Sequence, residues 1–363
     1  MEKFAFLIHP LDVRDVARKF PFTRRLPDRV VEGIFRLVPP MKLSRITGVK
    51  TPYNEAEGWF VSCPLTARQM ITLPQKFVYK RLIQTGRVAE KLGAKILGLG
   101  AFSSVVGDAG ITVAKNLKIA VTTGNSYTVA TAIEGAKEAA RLMGHDLKKA
   151  HVVILGATGS IGKVCALLLA REVRQMTLVA RNKSALEEVA AKILYETGLS
   201  ARITDNVKQA LASAHVVIAV TSATDAIIGP RDLMPGAVVC DVARPRNVSR
   251  QVAAERDDVL VIEGGVIAVP GEVDFGFNFG FPPGMAYACM AETMVLALER
   301  RYENFSLGRD LALEKVEEIS RLAKKHGFKL AGFRSFERAI STEEIERIKT
   351  RARQRTGKAA GAG

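Results

Sequence analysis

The chain has 363 residues, room for about two domains at ~150 residues each. At 48% apolar and 25% charged residues it has an ordinary globular composition, and no run of ~18 apolar residues offers a membrane span. The 53 Lys and Arg exceed the 37 Asp and Glu by 16, a surplus that attracts acidic partners: nucleic acid, anionic lipid, a phosphorylated cofactor or an acidic carrier protein.

The first residues, 4–8, read as a strand and not as a secretion signal, because an acid follows Met1 and no small-residue cleavage site appears. A short helix is expected over 12–19. A loop-rich stretch follows, with Pro21, Pro27, Pro39 and Pro40. Strand 58–62 leads to a helix over 74–92. Buried strands are expected at 95–99, followed by Gly100 to Ser104, and at 118–122, followed by Thr123-Gly124-Asn125-Ser126. An Ala-rich helix runs from 126 to 143, closed by Gly144.

From residue 151 strands and helices alternate: strands at 151–155, 176–180, 201–204, 215–220, 237–241 and 259–262, with helices over 160–173, 184–195 and 207–213. Strands that are apolar throughout imply a parallel sheet covered on both faces, the doubly wound α/β class. After Pro282-Pro283-Gly284 a helix is expected to about 302, then helical stretches over 311–325 and 342–353. The fold class is therefore an N-terminal α/β substrate domain, a Rossmann-type domain and C-terminal helices. The expected boundaries are 1–125, 126–283 and 284–363. The basic residues Arg347, Lys349, Arg351, Arg353, Arg355 and Lys358 read as a solvated helix end running into a frayed tail.

Gly156-Ala157-Thr158-Gly159-Ser160-Ile161-Gly162 lies between a buried strand and a helix. Gly156 permits the tight turn, Gly159 lets the backbone approach a pyrophosphate and Gly162 allows close helix–strand packing. The helix start offers free amides and partial positive charge to phosphate. The next strand ends at Ala180-Arg181-Asn182-Lys183, without the acid that would bind a ribose hydroxyl, so Arg181 suits the 2′-phosphate of NADPH. Thr221, Gly264 and Gly265 follow later strands and are expected to border the cofactor.

Hydride transfer needs a positioned electrophile. Cys289, in Ala288-Cys289-Met290-Ala291-Glu292, is a candidate nucleophile or a small core residue. A helix starting near Pro283 or Met285 would put it beyond the first turn, where the helix dipole has faded. Glu292, three residues on, is a proton acceptor for the thiol or a structural acid. Ser103, Ser104, Thr123 and Asn125 are candidate oxyanion donors, with Asn125 and Ser104 foremost; helix capping by Asn125 or Ser126 is the alternative. His9 is an acid or a structural residue. Phe275, Phe277, Phe279 and Phe281 alternate with other residues, so a strand would place the rings on one face, lining an acyl channel or a core. The four cysteines, Cys63, Cys165, Cys240 and Cys289, stand singly, which excludes a C-x-x-C site and argues against a disulfide scaffold. A reducing cytoplasm is the expectation, and no ligand spacing demands a metal.

Thr122-Thr123-Gly124-Asn125, the Gly156–Gly162 turn, Ala180-Arg181-Asn182, Ala288 to Glu292, Asn304-Phe305-Ser306-Leu307-Gly308-Arg309 and His326-Gly327-Phe328 occur in this order. Together they resemble the cyanobacterial long-chain acyl-[acyl-carrier-protein] reductases over roughly residues 4–330. The resemblance implies an acyl carrier protein or acyl-CoA thioester as substrate, NADPH as reductant, a fatty aldehyde as product and Cys289 as nucleophile. It also implies a partner enzyme that consumes the aldehyde. The chain departs from that family at Asp241 to Asn247, in the phenylalanine-glycine stretch from Phe275 to Phe281 and beyond about residue 331. The alternatives are a shikimate- or amino-acid-type dehydrogenase without a covalent step, or a non-catalytic NADP-binding scaffold. Nucleic-acid reading is disfavoured by an aromatic fraction of 6%.

Overall fold

A computed structural model describes residues 1–360 of the chain. Strand β1 (Glu2–Ile8) is followed by α1 (Val13–Lys19), α2 (Asp28–Leu37), β2 (Met41–Lys50), β3 (Glu55–Ser62), α3 (Ala67–Thr72), α4 (Gln75–Lys91), β4 (Ile96–Leu99), α5 (Ile111–Lys115), β5 (Ala120–Thr122) and α6 (Asn125–Met143). Next come β6 (His151–Leu155), α7 (Ser160–Leu169), β7 (Gln175–Val179), α8 (Lys183–Thr197), β8 (Arg202–Thr204), α9 (Val207–Leu211), β9 (Val216–Ala219), β10 (Val238–Asp241), α10 (Arg250–Glu255) and β11 (Leu260–Glu263). Helices α11 (Ala288–Leu298), α12 (Leu313–Lys325) and α13 (Thr342–Ala360) follow.

Packing separates two units, Met1–Tyr127 with Ile267–Lys329, and Thr128–Val266 with Leu330–Gly363. The C-terminal stretch expected as one segment from 284 is thus divided: its first part belongs to the unit begun by β1, its last part to the other. The reason is packing. Helix α11 is buried on nearly all sides within the first unit, whereas α13 is tied to the second by Arg355, which pairs with Asp257 at 2.8 Å and Asp258 at 3.1 Å. The basic helix is therefore not merely solvated, and the expected tail at 361–363 lies outside the described residues.

In the first unit the strand order is β2-β3-β1-β4-β5, with β1, β3, β4 and β5 parallel and β2 antiparallel to β3. Val78, Leu82 and Ala89 of α4 cover one sheet face, packing with Ala5, Leu7, Leu97 and Leu99. Helix α11 covers the other. There Gly98 has no room for a side chain, since a Cβ would stand 2.1 Å from Thr293 Oγ1. Helix α2 and edge strand β2 fill the stretch expected to be loop. Its prolines stand outside both elements, Pro27 just before α2 and Pro39 and Pro40 just before β2.

The second unit has the all-parallel order β11-β10-β9-β6-β7-β8. From β6 the chain winds outward to β7 and β8, then returns to β9 on the other side. The strand order therefore reverses between β6 and β9, and in doubly wound sheets ligands bind at the carboxyl ends of such a pair. All residues of β6, β9, β10 and β11 are buried, and their apolar runs are broken only at strand ends, by His151, Asp241 and Glu263.

Candidate active site

In the first unit the parallel strands deliver their carboxyl ends to one edge of the sheet, and Cys289 lies there. Gly124, two residues after β5, has φ +72, and a Cβ on it would stand 2.2 Å from Cys289 Cα and 2.3 Å from Cys289 Cβ. Glycine is required twice over, by the left-handed backbone and by this approach. The helix carrying Cys289 starts later than its sequence suggests. Gly284 adopts φ +73 and 285–287 are extended, so Tyr287 is the N-cap and Cys289 the second helical residue. The expectation that the cysteine lies past the first turn is overturned. It sits in the first turn, where the positive end of the helix dipole favours negative charge on sulfur. Every other residue of α11 is buried; Cys289 alone is half-buried. The remaining cysteines are sealed, and burial pushes the Cys63 and Cys165 thiols up to about 12 and raises that of Cys240 as well.

Glu292, one turn along α11, has no solvent exposure. Thr122 Oγ1 donates to its Oε1 at 2.5 Å and the Tyr127 amide to its Oε2 at 2.8 Å, while Ser306 Oγ lies 2.8 Å from Oε1. Burial raises its pKa against these lowering bonds. The carboxylate thus fastens the end of β5 and the start of α6 to α11. Phe305 continues this join, its amide donating to Val121 O at 3.0 Å. His326 bridges Glu299, 2.7 Å away, and Thr51, 3.1 Å away. Ser306 and His326 therefore hold packing together within this unit.

The four hydroxyl and amide candidates separate clearly. Ser103 donates to Gly100 O and Ser104 to Ala101 O, both at 2.7 Å, inside a tight turn. Thr123 donates to Ser306 O. Asn125 is 3% exposed, and its Nδ2 has no hydrogen-bond partner. A buried orphan donor costs stability, and this one directly follows the glycine that touches Cys289. Ser104, ranked beside Asn125 from sequence, has its proton already committed.

His9 is committed too. Its Nδ1 donates to Pro10 O at 3.0 Å and its Nε2 accepts the Phe102 amide at 3.1 Å. Burial lowers its pKa to about 4. A histidine harder to protonate folded than unfolded stabilises the fold fully above its ordinary pKa. That contribution fades as pH falls from 6.5 toward 4 and amounts to no more than roughly 3 kcal/mol. Urea titrations at both ends of this window are expected to show a smaller loss in His9→Gln than in the parent chain.

The aromatic alternation does not form a strand. Gly276 and Gly280 take positive φ and turn the chain, and loop folding brings the rings together instead. Phe275 stacks on Phe60 at 6.0 Å, Phe279 meets both, and Phe281 lies 5.6 Å from Phe279 and 4.5 Å from Tyr287. The ring series ends at the N-cap of the cysteine helix.

In the second unit the 156–162 turn joins β6 to α7 as read. Gly156 has φ +86, and a Cβ on it would stand 2.8 Å from Val220 O and 3.1 Å from Thr221 Cα. The turn thus packs on the loop after β9, at the reversal of strand order. A Cβ on Gly162 would stand 2.2 Å from Gly156 O, which brings helix and strand close. Around Gly159 the space is different: a Cβ would meet only Gly156 O, at 3.3 Å. No side chain caps the amides of α7, which begins at Ser160 and Ile161, and Thr158 stands half-buried beside them. Uncapped amides beside an open backbone suit a pyrophosphate. Arg181 is exposed just beyond β7. Gly264 packs under Val242, and Gly265 turns with φ +75, at the carboxyl ends of β10 and β11.

Thr221 donates its hydroxyl to Asn247 Oδ1 at 3.0 Å and its amide to the same oxygen at 3.2 Å. Asn247 has no solvent exposure, and its Nδ2 has no partner. Sequence reasoning missed this residue as a site element, since an asparagine in a loop carries no signal of the strand it will brace.

The family profile described as shikimate / quinate 5-dehydrogenase matches residues 137–263. The second unit is a Rossmann domain of the NAD(P) dehydrogenase type. Beyond it, the chain is 31% identical over 360 residues to the aminotransferase PigE of a Serratia species. That match covers 96% of this chain but only 42% of the relative, so the chain spans less than half of that protein. It is 27% identical over 330 residues to the long-chain acyl-[acyl-carrier-protein] reductase of Synechococcus elongatus, covering 87% of this chain and 94% of that one. Among solved structures, L-tryptophan dehydrogenase from Nostoc punctiforme aligns over 97% of this chain and 88% of its own, with TM-score 0.40 and 12% identity. The dehydrogenase-type profile ends at the last strand of the Rossmann sheet and does not reach Cys289. No helix among the described residues is long and apolar enough to cross a membrane.

Proposed function

We propose that the chain reduces a fatty acyl thioester, carried by an acyl carrier protein or coenzyme A, to an aldehyde through an acyl group held on Cys289. The observation that carries this reading is the placement of one half-buried cysteine in the first turn of a buried helix, against Gly124, whose chain neighbour Asn125 holds an orphan amide. The similarity to the Synechococcus reductase over nearly its whole length supports the same reading.

In this reading the Cys289 sulfur attacks the thioester carbonyl, having given up its proton. The carbon–sulfur bond to the carrier breaks, and the carrier thiolate leaves and takes a proton. Thioester replaces thioester, so the step is nearly isoenergetic and divides the reaction into transfer and reduction. The amide of Asn125 donates to the carbonyl oxygen as negative charge gathers there. The amides opening α7 would hold the pyrophosphate of a nicotinamide dinucleotide, and Arg181 its 2′-phosphate, making NADPH the preferred form. A dinucleotide held there would supply hydride, the two electrons that take an acyl carbonyl to the aldehyde level. Cys289, the acyl holder, would be the leaving group, departing as thiolate.

Intact mass spectrometry after mixing with acyl carrier thioester, without reductant, tests the proposal. An acyl adduct that maps to Cys289 supports it; turnover with no adduct points to a dehydrogenase without a covalent step. For the cofactor, Arg181→Ser is expected to weaken NADPH binding roughly ten- to a hundredfold while leaving NADH binding unchanged, the scale of one charge-assisted contact. Nicotinamide fluorescence titration reads this directly.

A further inference from the structure

The carboxyl edge of the first sheet carries a surface that the proposed chemistry does not use. The segment between β1 and β2 leaves and rejoins the sheet at this edge, because Met41 pairs with Ser62 at the end of β3. On α2, Val31 is buried, whereas Val30, Ile34 and Leu37, at helical spacing on the adjoining flank, are 45%, 46% and 81% exposed. Phe22 is 66% exposed just before α2, and Ile71 is 52% exposed in α3. Helix α3 packs on α2 through Gln69, whose amide donates to Glu32 O at 2.9 Å. Exposed apolar side chains scattered singly mean little, but these large ones gather on contiguous elements at one edge.

Charge accompanies them. Arg24, Arg25, Arg29 and Arg68 are exposed on the same elements. Asp28 is exposed at the start of α2 and Asp12, Asp15 and Glu32 accept local hydrogen bonds, but over residues 12–40 seven Lys and Arg outnumber these four acids. A helix with an open apolar flank bordered by arginine is the arrangement that settles into the headgroup region of an anionic bilayer. Large side chains spread over several elements, rather than a groove, suit a fluid apolar phase better than one shaped protein partner. With no membrane-spanning helix among the described residues, such contact is peripheral.

We infer that the α2–α3 edge is a docking surface for an anionic lipid bilayer. The inference does not depend on the thioester chemistry, and its test needs no turnover. The full chain is floated with phosphatidylcholine vesicles, with and without phosphatidylglycerol, at low and high salt. The expected result is co-flotation with the phosphatidylglycerol vesicles alone, reduced by salt. Partitioning is expected to fall at least about tenfold in Ile34→Ser/Leu37→Ser and in Arg24→Ser/Arg25→Ser. Both pairs are exposed, and an unchanged melting temperature confirms that the fold is intact. Absence of co-flotation, or equal partitioning of parent and variants, overturns the inference. So does a loss of affinity for an acyl carrier protein in these variants while vesicle binding persists, because the surface would then belong to a protein partner.

Discussion

Replacing Cys289 with alanine is expected to abolish aldehyde formation from an acyl carrier thioester and to remove the acyl adduct from the intact mass. Both losses follow from one atom. Without the sulfur there is no group in the first turn of α11 to accept the acyl chain, and the remaining cysteines cannot substitute. Cys63, Cys165 and Cys240 are buried with raised thiol pKa values, so they offer neither access nor thiolate. The α11 backbone should not change, because alanine is a good helix former and the position is only half-buried. Affinity for the nicotinamide cofactor should therefore survive. A variant that keeps turnover would show that reduction proceeds on a substrate never joined to the enzyme.

Asn125→Ala is expected to lower kcat by roughly a hundred- to a thousandfold, the usual cost of one oxyanion donor, with the acyl adduct still formed at a reduced rate. Single-turnover measurements separate the two steps. Its stability should change little or even rise, because the buried Nδ2 makes no hydrogen bond that the substitution would break. That opposition of signs discriminates a catalytic donor from a structural cap. A cap lost to alanine costs about 1 kcal/mol and leaves kcat alone. Ser104→Ala, by contrast, should act mainly on stability, since its hydroxyl holds the turn at Ala101.

The Rossmann unit was legible in the sequence because its determinants are local. Strands buried on both faces are apolar along their centres, and the 156–162 turn needs glycine where other residues would strike Val220 or Gly156. The cysteine helix was less legible. Pro283 reads as the start of a helix, yet Gly284 goes left-handed and delays the start to Ala288, a change that no propensity announces. The ring cluster was half legible. Alternation flagged the phenylalanines, but their contacts depend on turns at Gly276 and Gly280. Helix α2 and strand β2 were missed because prolines between them suggested loop, whereas those prolines punctuate two regular elements. Asn125 was named from its position after a strand and a glycine. What sets it apart from Ser104 is packing in three dimensions: Ser104 donates its proton to Ala101 O, whereas the Asn125 amide nitrogen has no partner.

The first unit is discontinuous along the chain, and α11 closes one face of its sheet. During synthesis, strands β1 to β5 emerge from the ribosome well before residue 288 exists. Phe4, Phe6 and Phe60 must wait, uncovered, while the whole Rossmann segment is translated. Covering of that sheet face by α11 thus waits until residues 288–298 have been made, and Cys289, the second residue of the helix, meets Gly124 only after the Rossmann segment has been translated.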